Sequence, residues 1–114
     1  MSVKLTTRQV GDVTVVDAVG RITLGDGATT FRDTIRDLSN GGSKKLLLNL
    51  AEVSYIDSSG IGEMVSGFTT ITNQGGQVKL LNLTKRVKDL LQITKLYTVF
   101  EVFDDEAHGV RSFS

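Results

Sequence analysis

An α/β fold built on a mixed sheet is what this sequence predicts, and three observations carry that expectation. Two valine- and threonine-rich segments at the start are separated by a Gly11-Asp12 turn signal, the mark of a hairpin. Segments with helical apolar spacing then alternate with short apolar runs along the rest of the chain. One of those runs, KKLLLNL, has the continuous apolar character of a strand covered on both faces. Parallel strands need crossover connections, so the alternation after the hairpin places about four helices on a sheet of about five strands.

The elements follow in order. The hairpin spans roughly residues 3–9 and 13–20 and is closed by Gly20. In TLGDGATTFRDTIRDLSNGG, Phe31, Ile35 and Leu38 recur at helical spacing, with Asp26 near the start and Gly41-Gly42 as the stop. KKLLLNL is the central strand. From Ser58 onward, Ile61, Met64, Val65, Phe68 and Ile71 form one stripe that ends at NQGG. QVKLLNL is a further short strand, after which Thr84 caps a helix whose Val87, Leu90 and Leu91 face inward. YTVFEVF is expected as the last strand, and DDEAHGVRSF as a short acid-capped closing helix.

Composition excludes several functions. The 114 residues carry 13 basic and 13 acidic side chains, so there is no broad electrostatic footprint for nucleic acid or an anionic membrane. The chain has no cysteine and one histidine, His108, which removes disulfides, thiolate chemistry and a histidine metal cluster. MSVKLTTRQVGDV has no apolar run that could serve as a signal peptide, and nothing approaches the roughly 20 apolar residues of a membrane span. The expectation is a soluble, cytoplasmic, single domain over residues 1–114, with no cofactor, no metal and no direct membrane insertion.

A Ser59–His108–Asp57 triad lacks the hydrolase elbow G-x-S-x-G, since Ile56 and Asp57 stand where glycine is needed before either serine. The glycine pairs at 25–27 and 60–62 do not extend to a phosphate-binding loop; after the second pair, Val65 occupies the place of the third glycine. Asp104-Asp105-Glu106 suits a helix start, Asp33 and Asp37 a solvated helix face, and Lys85, Arg86 and Lys88 an exposed one. YIDSSGIGEMV, residues 55–65, has two readings. Asp, Ser and Gly are favoured where a helix begins, because a short side-chain oxygen accepts an otherwise orphaned N–H. An accessible hydroxyl beside an acid at that point is also a candidate phosphate acceptor, gaining about −1.5 to −2 charges when modified.

The segment LLLNLAEVSYIDSSGIGEMV resembles the central segment of STAS domains, above all bacterial anti-sigma-factor antagonists. There an apolar strand and a short link precede D-S-[ST]-G-[LI]-G at the second helix, here Leu46–Leu50, the Val53/Ile56 link, and Asp57, Ser58, Ser59, Gly60, Ile61 and Gly62. VTVVDAVGRI, NQGGQVKLLNL and VKDLLQITKLYTVFEVFDDEAHGV are similar to other family segments, so the resemblance spans nearly the whole chain. It implies a STAS-like fold and a switch protein rather than an enzyme. Unphosphorylated, such a protein sequesters an anti-sigma factor that is also a serine kinase, and so regulates transcription. The kinase modifies the first serine after the motif aspartate, which falls on Ser58, with Ser59 the second candidate; a serine phosphatase reverses it. The partner surface implied is Asp57, Ser58, Ser59, Gly60, Ile61, Gly62 and Glu63, with Arg21 from the neighbouring loop.

Two positions depart from the family pattern. The run GRITLGDG stands where antagonists commonly carry G-E-L-D, so Arg21 replaces an acid, and Glu63 occupies a usually apolar place. The alternative function is a non-phosphorylated STAS subunit of a lipid-transport ABC complex or a signalling scaffold; a small hydrolase is the third reading.

Overall fold

The computed structural model describes residues 3–113, so Met1, Ser2 and Ser114 of the expected 1–114 domain lie outside the described residues. Strand β1 (Val3–Val10) pairs antiparallel with β2 (Val13–Ile22) in the register Val10↔Val13 to Val3↔Gly20. Strands β3 (Lys45–Ile56), β4 (Gln77–Leu81) and β5 (Val102–Phe103) add in parallel, giving one five-stranded sheet in the order β1-β2-β3-β4-β5. Helices α1 (Asp26–Asn40), α2 (Ser58–Asn73) and α3 (Lys85–Ile93) are the crossovers, and α4 (Glu106–Arg111) closes the chain.

Alternation along the strands divides two cores. Val16, Ala18 and Ile22 of β2, with Leu46, Leu48 and Leu50 of β3, pack against Phe31, Ile35, Ile61, Met64, Ile71, Val87 and Leu91 of the crossover helices. On the other face Val13, Val15, Leu47 and Leu81 meet Val110 and Phe113 at the closing helix. Leu46, Leu47 and Leu48 thus point to alternate faces, both covered, which is why this strand is apolar without a break. The expected mixed sheet, hairpin and four helices are all present.

Two elements differ from expectation. The segment YTVFEVF is a strand only at Val102–Phe103; its first half is a 3₁₀ turn, Leu96–Thr98. Lys95 takes the left-handed conformation at φ 62°, which ends α3, and Phe100 turns inward to meet Phe68 edge-on at 5.2 Å between ring centroids. Its apolar residues anchor a loop rather than alternate on a sheet. Strand β3 also runs well past KKLLLNL, through the stretch expected as a link, because Glu52–Ile56 continue pairing with Val19–Ile22. Two register irregularities interrupt that pairing and break the period of two, so the extension does not look like a strand in the sequence.

The second face carries a polar network that makes stability depend on pH. Arg8 of β1 reaches Asp17 of β2 at 2.7 Å and Glu106 of α4 at 2.6 Å, and Asn49 donates to Asp17 at 2.8 Å. The Arg8 guanidinium holds the carboxyls of Asp17 and Glu106 below their ordinary values, and their two charges hold Arg8 protonated. Lys45 does the same for Asp12. A carboxyl with a depressed folded pKa gives stability above its unfolded value and loses it as pH falls through the folded one. Urea midpoints are therefore expected to hold steady down to about pH 5 and fall steadily below about pH 4. A midpoint that rises on acidification would contradict this network.

Candidate functional site

The motif YIDSSGIGEMV sits where β3 hands over to α2. Asp57 is the N-cap, in extended conformation, and its Oδ1 accepts the Gly60 N–H at 2.9 Å. Its Oδ2 accepts the Leu24 N–H at 3.0 Å, from the loop between β2 and α1. One carboxylate therefore caps a helix and ties down a loop 33 residues away. Burial works to raise the Asp57 pKa, but the N–H groups of Leu24, Gly60 and Ser59 outweigh it and hold the carboxyl below its usual value. Asp57 is thus ionised at neutral pH.

This bridge places two side chains at the surface. Ser58, at the first helical position, is exposed, whereas Ser59 is half-buried. Leu24, tethered through its backbone, is 79% exposed, the largest exposure among the apolar side chains that stand out from this surface. A phosphate on Ser58 would lie at a helix N-terminus, where the unpaired N–H groups and macrodipole favour an anion. It would also lie beside the ionised Asp57.

Glycine at position 60 has a packing reason. A Cβ there would collide with the Ile22 carbonyl oxygen and lie 2.7 Å from Ile56 Cγ1, so α2 begins in direct contact with the end of β2. Gly27 of α1 meets the Arg21 carbonyl in the same way. Both helices are drawn onto the end of one strand, which brings the β2–α1 loop and the motif side by side.

The family model for the STAS domain matches residues 4–109. The chain belongs to the STAS-domain family. An anti-sigma-B factor antagonist of Bacillus subtilis (strain 168) is 34% identical over 84 residues, 74% of this chain and 76% of that protein. The structure of an anti-sigma factor antagonist from Mycobacterium paratuberculosis superposes with a TM-score of 0.88 at 14% identity, covering 98% of this chain and 94% of the other. The phosphorylated form of the Bacillus cell fate determinant SpoIIAA gives a TM-score of 0.74 at 19% identity, covering 96% and 99%. At such identities the two structures speak to the fold.

Within this STAS domain the expected partner residues do not share one surface. Asp57, Ser58, Ser59 and Gly62 line the outer side of the first turn, Ser58 and Gly62 exposed. Gly60 and Ile61 are buried, Ile61 at 5% exposure, because the helical period turns them onto β2 and the core; their expected place on the partner surface is corrected to packing. Glu63 faces α1, where Arg32 Nη1 approaches it at 3.6 Å. Arg21 lies in β2 rather than in the loop, with its guanidinium 5.2 Å from the Tyr55 ring centre. His108 stands on α4, packed on the sheet face opposite α2, so the Ser59–His108–Asp57 triad is not assembled. Among the described residues no helix is long and apolar enough to cross a membrane. Leu24 was not among the residues expected to matter. The signal for it was a lone leucine between Thr23 and Gly25, without periodic apolar neighbours.

Separating the two arms of Asp57 tests the bridge. Asp57→Ala removes cap and tether together and is expected to cost about 1–2 kcal/mol in chemical denaturation. Asp57→Asn keeps one acceptor oxygen, so it can cap Gly60 but cannot also accept from Leu24. A smaller stability loss is expected, with hydrogen exchange at the Leu24 amide accelerated. Unchanged Leu24 exchange in both variants would show that the tether is not made in solution.

Proposed function

We propose that this STAS domain is an anti-sigma-factor antagonist whose hold on its partner is switched by phosphorylation of Ser58. The observation that carries the proposal is the exposed Ser58 hydroxyl at the start of α2, beside an ionised cap that also presents Leu24. Similarity to an anti-sigma-B factor antagonist of Bacillus subtilis supports the same reading. The partner is an anti-sigma factor with serine-kinase activity, a separate phosphatase resets the switch, and the setting is the cytoplasm. The domain contributes binding and no catalysis of its own. Unphosphorylated, Ser58, Ser59, Gly62 and Leu24 form the docking surface. Phosphorylated, that surface carries about −1.5 to −2 added charges next to the Asp57 carboxylate.

Capture from the native cell lysate tests this, with wild type, Ser58→Ala and Ser58→Asp as baits and mass spectrometry as the readout. Wild type and Ala are expected to hold a kinase-type anti-sigma factor that Asp releases. Equal capture of transporter or scaffold subunits by all three baits would overturn the proposal in favour of a structural subunit.

A further inference from the structure

We infer that Arg21, Tyr55 and Arg86 form a recognition surface for a carboxylate-rich segment of the protein partner. This rests on the antagonist reading and gives it the chemistry of the partner's contacting surface.

Arg21 of β2 stands opposite Tyr55 of β3 in the strand register, and its guanidinium carbon lies 5.2 Å from the ring centre. Arg86 of α3 approaches the same ring at 4.2 Å. Thr84 holds the start of α3 against β3 by donating its hydroxyl to the Val53 carbonyl at 3.2 Å, which sets Arg86 within reach of Tyr55. Two cations therefore share one aromatic ring at the end of the sheet where α2 begins.

Their partners distinguish them from three other arginines. Arg8, Arg32 and Arg36 each lie within 4.0 Å of a carboxylate oxygen. Among the described residues, Arg21 and Arg86 have the Tyr55 ring as their contact and no carboxylate. A guanidinium resting on an aromatic ring keeps its N–H donors available in the ring-parallel plane, and that rigid fork matches a carboxylate bidentately. Both arginines are exposed, and the half-buried ring fixes them in advance, so less freedom is lost on binding.

An acidic protein segment fits better than nucleic acid. The chain is neutral overall, with 13 charges of each sign, and the site offers two cations rather than a basic face. Position also connects it to the switch. Tyr55 precedes Asp57 by two residues, and the Ile22 carbonyl next to Arg21 accepts the Asp57 N–H at 3.4 Å. An acidic segment seated on the arginines therefore lies close to Ser58. Phosphate there repels the same carboxylates that the arginines attract, which gives the added charge something to act upon.

The experiment titrates the full chain, labelled at the arginine Nε–Hε groups, with a short peptide of alternating Glu and Ala, following the signals by NMR. A Lys–Ala peptide, sodium chloride at matched ionic strength and inorganic phosphate are run alongside. A Tyr97→Phe background leaves Tyr55 as the one tyrosine to follow. Saturable shifts are expected at Arg21, Arg86 and Tyr55 but not at Arg8, with affinity falling at least about tenfold in an Arg21→Gln/Arg86→Gln variant. Shifts that merely track salt, or a double variant that binds as tightly as wild type, would overturn the inference. So would phosphate that saturates the arginines more tightly than the peptide does, which would mark a phosphate site. No anti-sigma factor is needed in this titration, so its outcome is separate from that of the capture experiment.

Discussion

Replacing Gly60 by alanine is expected to destabilise the domain by about 3 kcal/mol, the cost of forcing a methyl group into a packed contact. The added Cβ meets the Ile22 carbonyl, which is backbone, and Ile56 Cγ1 at 2.7 Å, which belongs to a buried core side chain. Neither can swing aside, so α2 must move off the end of β2. That movement would pull Gly60 from the Asp57 carboxylate and loosen Leu24 with it. The control is Gly62→Ala, two residues on, where a Cβ finds nothing within 4 Å. Exchanging glycine for alanine in that exposed helical turn is expected to be neutral or to stabilise by about 0.5–1 kcal/mol. Urea denaturation separates the two, with the midpoint falling for Gly60→Ala, unchanged or rising for Gly62→Ala, and similar slopes for both. Equal midpoints would mean that the strand end and helix start are not in contact.

The second large effect is on binding rather than folding. Phosphate on Ser58 is expected to lower affinity for the anti-sigma factor by about a hundredfold, which corresponds to about 2.7 kcal/mol. The fold has no reason to change. Ser58 is exposed, its backbone is already helical, and a helix N-terminus favours an anion by about 0.3–1 kcal/mol. Against this stands repulsion from ionised Asp57, whose carboxylate is committed to two N–H groups. The two terms oppose each other within the domain. At an interface from which water is excluded, the added charge has no such compensation. Ser58→Asp places a single charge on a shorter side chain, so it is expected to weaken binding in the same direction but less than phosphate does.

Much of this was legible in the chain. The Gly11-Asp12 turn, the unbroken apolar run of β3 and the stripe from Ile61 to Ile71 each constrain one element strongly, and their order leaves little choice of architecture. The candidate site was harder because a motif contiguous in sequence is not contiguous on a helix surface. Successive residues turn by about 100°, so Asp57-Ser58-Ser59-Gly60-Ile61-Gly62-Glu63 is dealt out to solvent, core and α1 in turn. Burial of Ile61 was implicit in its place on the apolar stripe with Met64. Leu24 and Tyr55 were not legible at all. The first depends on which amide the free oxygen of Asp57 reaches, and the second on register shifts that realign β3 against β2. Those are long-range facts. The loop at Phe100 misled for a related reason, since a side chain that plugs a core from a loop looks locally like one on a strand.

One measurement bears on the switch most directly. The domain is prepared with phosphoserine at position 58 and in unmodified form, and both are titrated calorimetrically against the anti-sigma factor recovered by capture. Urea midpoints are recorded on the same samples. The expected result is an affinity lower by about a hundredfold in the phosphorylated protein, with folding stability within about 1 kcal/mol of the unmodified one. Equal affinities would contradict a charge switch at Ser58, and a lost affinity accompanied by a collapsed midpoint would make it a refolding switch instead.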